Sequence, residues 1–290
     1  MQIQDICNFF LGYNIHTSFA SFLRITYCSF PILWFLSMIR DIWNFSKPDG
    51  IFDGKNYLYV DKNTYPHLSL FNIFPHSKLF HKIIFILFFI FGITSIIGLF
   101  TNISLIIFTI SFISIQNRIH PIISTAGDVV IRFMLISLIF IDCGSRYSID
   151  NILGIASNLD FINGWTIRLL QINICMMYLF SAMVKLKYDE WLSGYAIKKV
   201  IYHATYGRKI YFKLPLNKYL DFSLKLLTWA TIIFEYMAFP LFFISEFRPI
   251  GIILGILLHI GIIVFMRVGA FGPIMILAIF SFLNNYFSNF

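Results

Sequence analysis

The stretch IIFILFFIFGITSIIGLF, Ile83–Phe100, decides the fold class. Its 18 residues contain no Asp, Glu, Lys or Arg. A helix of about 20 apolar residues crosses a hydrocarbon core roughly 30 Å thick. Working outward, seven further apolar segments follow the same pattern: Ser18–Ile39, Ile103–Ile115, Pro121–Ile141, Ile167–Val184, Leu220–Ile244, Ile250–Phe265 and Ile274–Leu283. The segments at Ile103 and Ile274 are short. Each reads as a tilted half-span, a re-entrant piece or a full span with polar ends. The expectation is an all-α protein, a polytopic transmembrane helix bundle of about eight spans. Composition agrees, with 58% apolar and 12% charged residues, where soluble domains run about 45–50% and about 25%. An ordinary soluble domain and a disordered tail are thereby excluded. The apolar residues come in runs rather than in alternation, which excludes a β-barrel. No internal repeat or low-complexity linker interrupts the chain, so a single membrane domain is expected over residues 1–290.

The net charge is +8. In membrane proteins Lys and Arg collect in cytoplasmic loops, so this excess calls for no nucleic acid. If all eight segments cross, the loops after spans one, three, five and seven share one side and hold 17 basic residues. The other side holds Arg146 and Arg248, and Arg24, Arg132 and Arg168 lie within spans. This asymmetry predicts both termini outside and the two long loops, residues 40–82 and 185–219, in the cytoplasm. The first loop carries turn signals at Lys47–Gly50 and Phe52–Asn56 and a short strand pattern at Tyr57–Val60. The second mixes Trp191 and several tyrosines with basic residues. That composition suits a membrane-surface helix or a grip on an anionic partner. Cys7, Cys28, Cys143 and Cys175 are widely spaced without CxxC, and no disulfide framework or metal motif results. The first apolar run lacks a basic leader and a small-residue cleavage site, so it reads as a span rather than a secretory signal.

Polar residues inside the apolar runs point to chemistry, because a charge at mid-bilayer costs at least about 2.5–3.5 kcal/mol. Asp128 and Arg132 are four apart in TAGDVVIRF and can pair on one helix face. They read either as a self-neutralising structural pair or as a polar cavity wall. Arg168 and Gln171 share a face at i,i+3, with Arg168 either snorkelling to the interface or serving the site. Lys185 ends its segment, where it snorkels or, partly desolvated, acts as a base. Glu235 lies deep in TWATIIFEYMAFP, five residues before Pro240, which is expected to kink the helix. A lone carboxylate there is protonated or paired with a cation. His259, in the next segment, is a hydrogen-bonded packing residue, or with Glu235 it forms a proton relay or holds a ligand. No metal-ligand spacing occurs, so no metal is expected. P-loop, Rossmann, GxSxG and HExxH patterns are absent.

Several of these residues fall into an order that resembles the horizontally transferred transmembrane (HTTM) family, the membrane domain shared with vitamin K-dependent γ-carboxylases. An arginine in the first span (Arg24) precedes an Asp/Gly-rich turn (Asp49–Gly54). Then come Asn117–Arg118, Gly127–Asp128, Arg132 and Ser148–Asp150; Arg168–Gln171, Tyr178, Lys185–Leu186 and Glu190–Gly194; Thr228–Trp229, Glu235 and Phe239–Pro240; and His259 with Gly269 and Phe271. The carboxylases use a lysine base activated by oxidation of a reduced naphthoquinone. The second lysine of their tandem pair, the base, is Leu186 here, and leucine accepts no proton. The resemblance therefore implies relatedness without implying glutamate carboxylation. It extends to stand-alone bacterial membrane proteins encoded for the production of secreted peptide toxins of the sporulation-delaying type.

Two functions follow as expectations. In the first, an integral protein, of the bacterial inner membrane by this resemblance, is an enzyme or maturation factor acting on a peptide or lipid. Lys185, Glu235 and His259 would be catalytic, and Arg118, Asp128, Arg132, Arg168, Gln171 and Trp191 would line a cavity that a reduced quinone or another lipid can occupy. In the second, the chain is a non-enzymatic partner or immunity subunit for a small secreted or membrane peptide, and the same residues hold helices together. A transporter ranks last, because paired glycine-broken helices are absent.

Overall fold

The computed structural model describes residues 9, 11–50, 69–74, 76–119, 125–208 and 217–287. The turn at Phe52–Asn56, the strand pattern at Tyr57–Val60 and the start of the fourth segment at Pro121 lie outside the described residues. The described residues are mostly helical, and the chain divides into two compact units, Met1–Ile167 with Tyr286–Phe290, and Arg168–Asn285.

The first unit contains β1 (Asn14–His16), α1 (Thr17–Ser37), α2 (Ile39–Ser46), α3 (Lys78–Ile97), α4 (Thr101–Ile119), α5 (Ala126–Ile139), α6 (Ile149–Ile152) and β2 (Phe161–Asn163). The two three-residue strands pair antiparallel with Ile15 opposite Ile162. His16 opens α1 by accepting a hydrogen bond from the Ser18 N–H at 3.2 Å, and Ser77 opens α3 by accepting from the Phe80 N–H at 3.2 Å. These satisfy donors that a helix start leaves unpaired. α3 stops at Gly98, whose φ of +71° suits glycine. Phe35, Phe88, Phe108 and Phe112 pack α1, α3 and α4 together, with centroid separations from 4.8 to 6.4 Å. Gly92 permits this approach, because a Cβ there would meet Ile32 Cδ1 at 2.6 Å and Phe108 Cε2 at 2.8 Å.

The second unit is built along α7 (Trp165–Lys185), with α8 (Asp189–Leu192), α9 (Ala196–Ile201), α10 (Lys218–Tyr236), α11 (Ala238–Phe243), α12 (Arg248–Phe265) and α13 (Phe271–Ile279). The sixth apolar segment is two helices. Pro240 has no N–H to offer the Tyr236 carbonyl, and α10 ends at that residue. The second long loop, whose composition suits a membrane-surface helix or a grip on an anionic partner, holds the two short helices α8 and α9 among its described residues. Lys225, counted with that loop, lies within α10.

Among the described residues five helices are long and apolar enough to cross a membrane: α1, α3, α4, α7 and α12. The third segment is not short. It extends to 19 residues as α4, because Thr101 and the polar turn Gln116–Arg118 are taken into the helix. α5 has 14 residues and α13 has 9, so those two are below spanning length by themselves. The protein is an integral membrane protein whose apolar helices meet the lipid bilayer.

Candidate functional site

One stripe of α7 carries three polar side chains at a spacing of seven: Gln171, Tyr178 and Lys185. Seven residues are nearly two helical turns, so they share a face and stand about 10.5 Å apart along the axis. Ile174, Cys175 and Ala182 lie between them, all buried. Each polar rung meets a different partner from the second unit.

At the C-terminal rung Lys185 Nζ donates to Glu235 Oε1 on α10 and to Ser181 Oγ at 3.1 Å. The ammonium also sits 4.7 Å from the Trp191 ring centroid, close enough for cation–π attraction. The two charged side chains are 17% and 8% exposed, so this is a largely desolvated ion pair. Lys185 therefore does not snorkel freely. It is held, and three of the expected site residues are together. Glu235 Oε2 is buried and makes no hydrogen bond among the described residues.

At the middle rung the Tyr178 hydroxyl and His259 Nε2 share a hydrogen bond of 2.7 Å. Phe234 and Phe242 flank the Tyr178 ring at 5.4 and 6.3 Å, and Phe271 meets the His259 ring edge-on at 5.7 Å. His259 Nδ1 is buried with no hydrogen-bond partner among the described residues. No hydrogen bond joins His259 to Glu235 there, because the histidine faces Tyr178 and the carboxylate faces Lys185, one rung further on. Glu235 and His259 thus form two separate pairs along one helix stripe. The 7-residue spacing of Tyr178 and Lys185 was readable from the sequence, but Tyr178 carries no charge to draw notice and Ser181 looks like an ordinary small residue.

At the N-terminal rung Arg168 donates to Gln171 Oε1 at 2.9 Å, and Gln171 Nε2 donates to the Ser281 carbonyl at 2.6 Å. The Arg168 guanidinium lies 5.4 Å from the Phe243 ring centroid.

Arg118, Asp128 and Arg132 belong to the first unit. Gln116, which the sequence reading passed over, links the latter two: its Nε2 donates to Asp128 at 2.9 Å and its Oε1 accepts from Arg132 at 2.7 Å. Asp128 also accepts from the Thr125 N–H at 2.6 Å and so closes the start of α5. Arg118 is 1% exposed and donates to the Ser46 carbonyl at 3.3 Å. Arg24 and Asp150 form a second knot there. Arg24 donates to the Cys143 and Tyr147 carbonyls at 3.0 and 2.5 Å. Asp150 accepts from the Phe100 and Thr101 N–H groups at 2.8 and 2.7 Å and from the Thr101 hydroxyl at 2.6 Å, capping α4. Burial opposes ionisation of Asp150, but the bonds from Thr101 and Phe100 and the Arg24 charge outweigh it, and the carboxyl sits below its ordinary value.

Against known proteins, a 122-residue stretch is 31% identical to sporulation-delaying protein SdpB of Bacillus subtilis (strain 168). That stretch is 41% of this chain and spans only 38% of the relative's length. No solved structure matches. The HTTM domain model matches residues 20–286, running from the first helix through the Arg24–Asp150 knot and all three rungs of α7. The residues that carry the buried polar contacts are thus those the match encloses, and the chain belongs to the HTTM domain family.

Proposed function

We propose that the protein is a membrane-embedded enzyme or maturation factor that acts on a peptide or lipid at the α7 stripe. The observation that carries this reading is the pair of open polar atoms, Glu235 Oε2 and His259 Nδ1, each buried on a partner of that stripe. A buried polar atom without a partner costs about 1–3 kcal/mol, and a substrate that hydrogen-bonds to it recovers that cost. Lys185 and Glu235 would hold or move a proton between Nζ and Oε1. Tyr178 would orient the His259 ring, which offers Nδ1 to the substrate. The family's quinone chemistry does not fit this chain: its base position is Leu186, 42% exposed, with no proton-accepting atom, and no step is routed through a quinone. One membrane domain spanning the chain, a bacterial inner-membrane location and cytoplasmic basic loops belong to the same reading.

The relative named as a sporulation-delaying protein favours a second reading. In it the chain is a non-enzymatic partner or immunity subunit for a small peptide, and the stripe serves as its docking line. One experiment separates these. The full chain is gently solubilised, its bound lipids and peptides are identified by native mass spectrometry, and Lys185→Ala, Glu235→Gln and His259→Ala are compared with the wild type. Loss of the bound species at wild-type folded yield, with a chemically altered peptide or lipid in the wild type, supports the enzyme. A bound but unaltered peptide supports the partner. Unchanged retention in all three variants, or loss only in step with folded yield, defeats both site assignments.

A further inference from the structure

We propose a binding site for the phosphate of an anionic phospholipid at the C-terminal end of α12, apart from the α7 stripe. α12 is an apolar span of 18 residues, and it is followed at once by Met266 and Arg267. There the chain pairs with the segment after α9. Gly207 and Met266 form an antiparallel bridge. The Arg208 N–H donates to the Phe265 carbonyl at 3.3 Å, and the Arg267 N–H donates to the Tyr206 carbonyl at 2.7 Å. Gly207 is needed at this crossing, since a Cβ would lie 1.9 Å from the Ile201 carbonyl oxygen. The pairing sets Arg208 and Arg267 on one cavity of about 300 Å³.

The cavity's chemistry points to one class of ligand. Its two arginines are joined by no acidic residue among those that line it. Arg208 spends one donor on the Ile263 carbonyl at 2.8 Å, which fixes the guanidinium and leaves its other N–H groups. The Arg267 side chain makes no hydrogen bond or ion pair among the described residues. Planar guanidinium forks match phosphate oxygens two at a time. The remaining side chains, from Ile263, Met266, Val268 and Pro273, are apolar. A free phosphate would leave that wall wet. A lipid phosphate with its glycerol and upper acyl chain covers both parts, and basic pockets at the ends of spans bind such headgroups. Gly269, at φ +59°, has nothing within 4 Å of where a Cβ would stand, so space remains beside the arginines.

The test uses the full chain in detergent, titrated with phosphatidylglycerol and separately with phosphatidylcholine, with bound lipids counted by native mass spectrometry. The wild type should retain phosphatidylglycerol in preference. Arg267→Ala should weaken it about fivefold and the Arg208→Ala, Arg267→Ala double variant about twenty-five-fold, as one screened charge each predicts. Phosphatidylcholine carries the same phosphate with a compensating cation, so it should bind more weakly than phosphatidylglycerol and lose less in each variant. Arg208→Ala also loses the bond to Ile263, so if it fails to fold, Arg267→Ala carries the decision. Equal affinity of the wild type for both lipids, or unaltered phosphatidylglycerol binding in Arg267→Ala, overturns the site. Displacement of the lipid by an equal concentration of inorganic phosphate overturns the lipid assignment in favour of the free anion.

Discussion

Replacing Glu235 by alanine takes the carboxylate from a lysine that is 17% exposed and leaves the ammonium only Ser181 Oγ and the Trp191 ring. Breaking a buried pair from one side costs about 3–5 kcal/mol, mostly from the charge left behind. Lys185 sits in the last turn of α7, where its stem can swing toward the interface, so the expected loss is at the lower end, about 3 kcal/mol. That is a factor of roughly 150 in the unfolding equilibrium. Glu235→Gln keeps an oxygen acceptor and should lose about half as much. The decisive variant is the double substitution Lys185→Met, Glu235→Leu, which removes both charges and keeps volume. It should be close to wild type or more stable, so the loss on removing Glu235 alone will not persist when Lys185 goes with it. Reversible unfolding in mixed micelles, followed by tryptophan fluorescence, reads all four proteins. A Glu235→Ala loss below about 0.5 kcal/mol, the size of an ordinary surface change, refutes the desolvated pair. If the double variant is stable yet retains no bound species, the pair serves the site. If it retains the bound species in full, the pair only holds helices.

Asp150→Asn should weaken the start of α4 by about 0.5–2 kcal/mol, the usual range for a lost N-cap, read by the same unfolding assay. Because the folded carboxyl lies below its ordinary value of 3.8, its contribution is complete above that value and is lost as pH falls through the folded one. The variant should therefore show a flatter acid arm in a stability–pH profile, and an unchanged arm would count against the cap. Gly92→Leu forces a side chain between Ile32 and Phe108 and should cost about 1–3 kcal/mol; a wild-type melting profile would contradict the close approach of α1 and α4 to α3. Tyr178→Phe strips the partner from His259 Nε2, with an expected loss of about 1–3 kcal/mol. Restoration of stability on adding His259→Leu would confirm that the unpaired ring nitrogen is the cause.

The apolar runs placed most helices, because a bilayer demands internally hydrogen-bonded spans and leaves little choice. Ends were harder. The sequence reading cut the third segment at Ile115, while α4 continues to Ile119, since its polar last turn is buried and Arg118 and Gln116 find partners within the first unit. The sixth segment read as one run with a kink expected at Pro240, and it is divided at Met237, one turn ahead of that proline. Lys185, Glu235 and Trp191 were each legible as unusual. Their meeting was not, because it depends on α8 and α10 both returning to the end of α7. The partner of His259 was not legible for a related reason. Charge drew attention to Glu235, while the neutral Tyr178 one rung away satisfied the histidine.

The α7 stripe is hard to account for as scaffolding alone. Interhelical hydrogen bonds in membranes average about 0.6 kcal/mol and reach about 1.7. A buried ion pair recovers the cost of desolvating its two charges only when further hydrogen bonds satisfy both groups, and Glu235 is 8% exposed with its second oxygen left without a hydrogen bond. Apolar side chains at these positions would be buried at less cost, as Ile174, Cys175 and Ala182 beside them are. At the Arg24–Asp150 knot every Asp150 contact lies on a helix start or a turn that would otherwise leave donors unpaired, while Arg24 Nε is buried without a hydrogen bond among the described residues. Around α7, Glu235 Oε2, His259 Nδ1 and Ser281 Oγ are buried without a hydrogen bond among the described residues, and a bound molecule with polar groups facing Glu235 Oε2 and His259 Nδ1 would recover part of that cost.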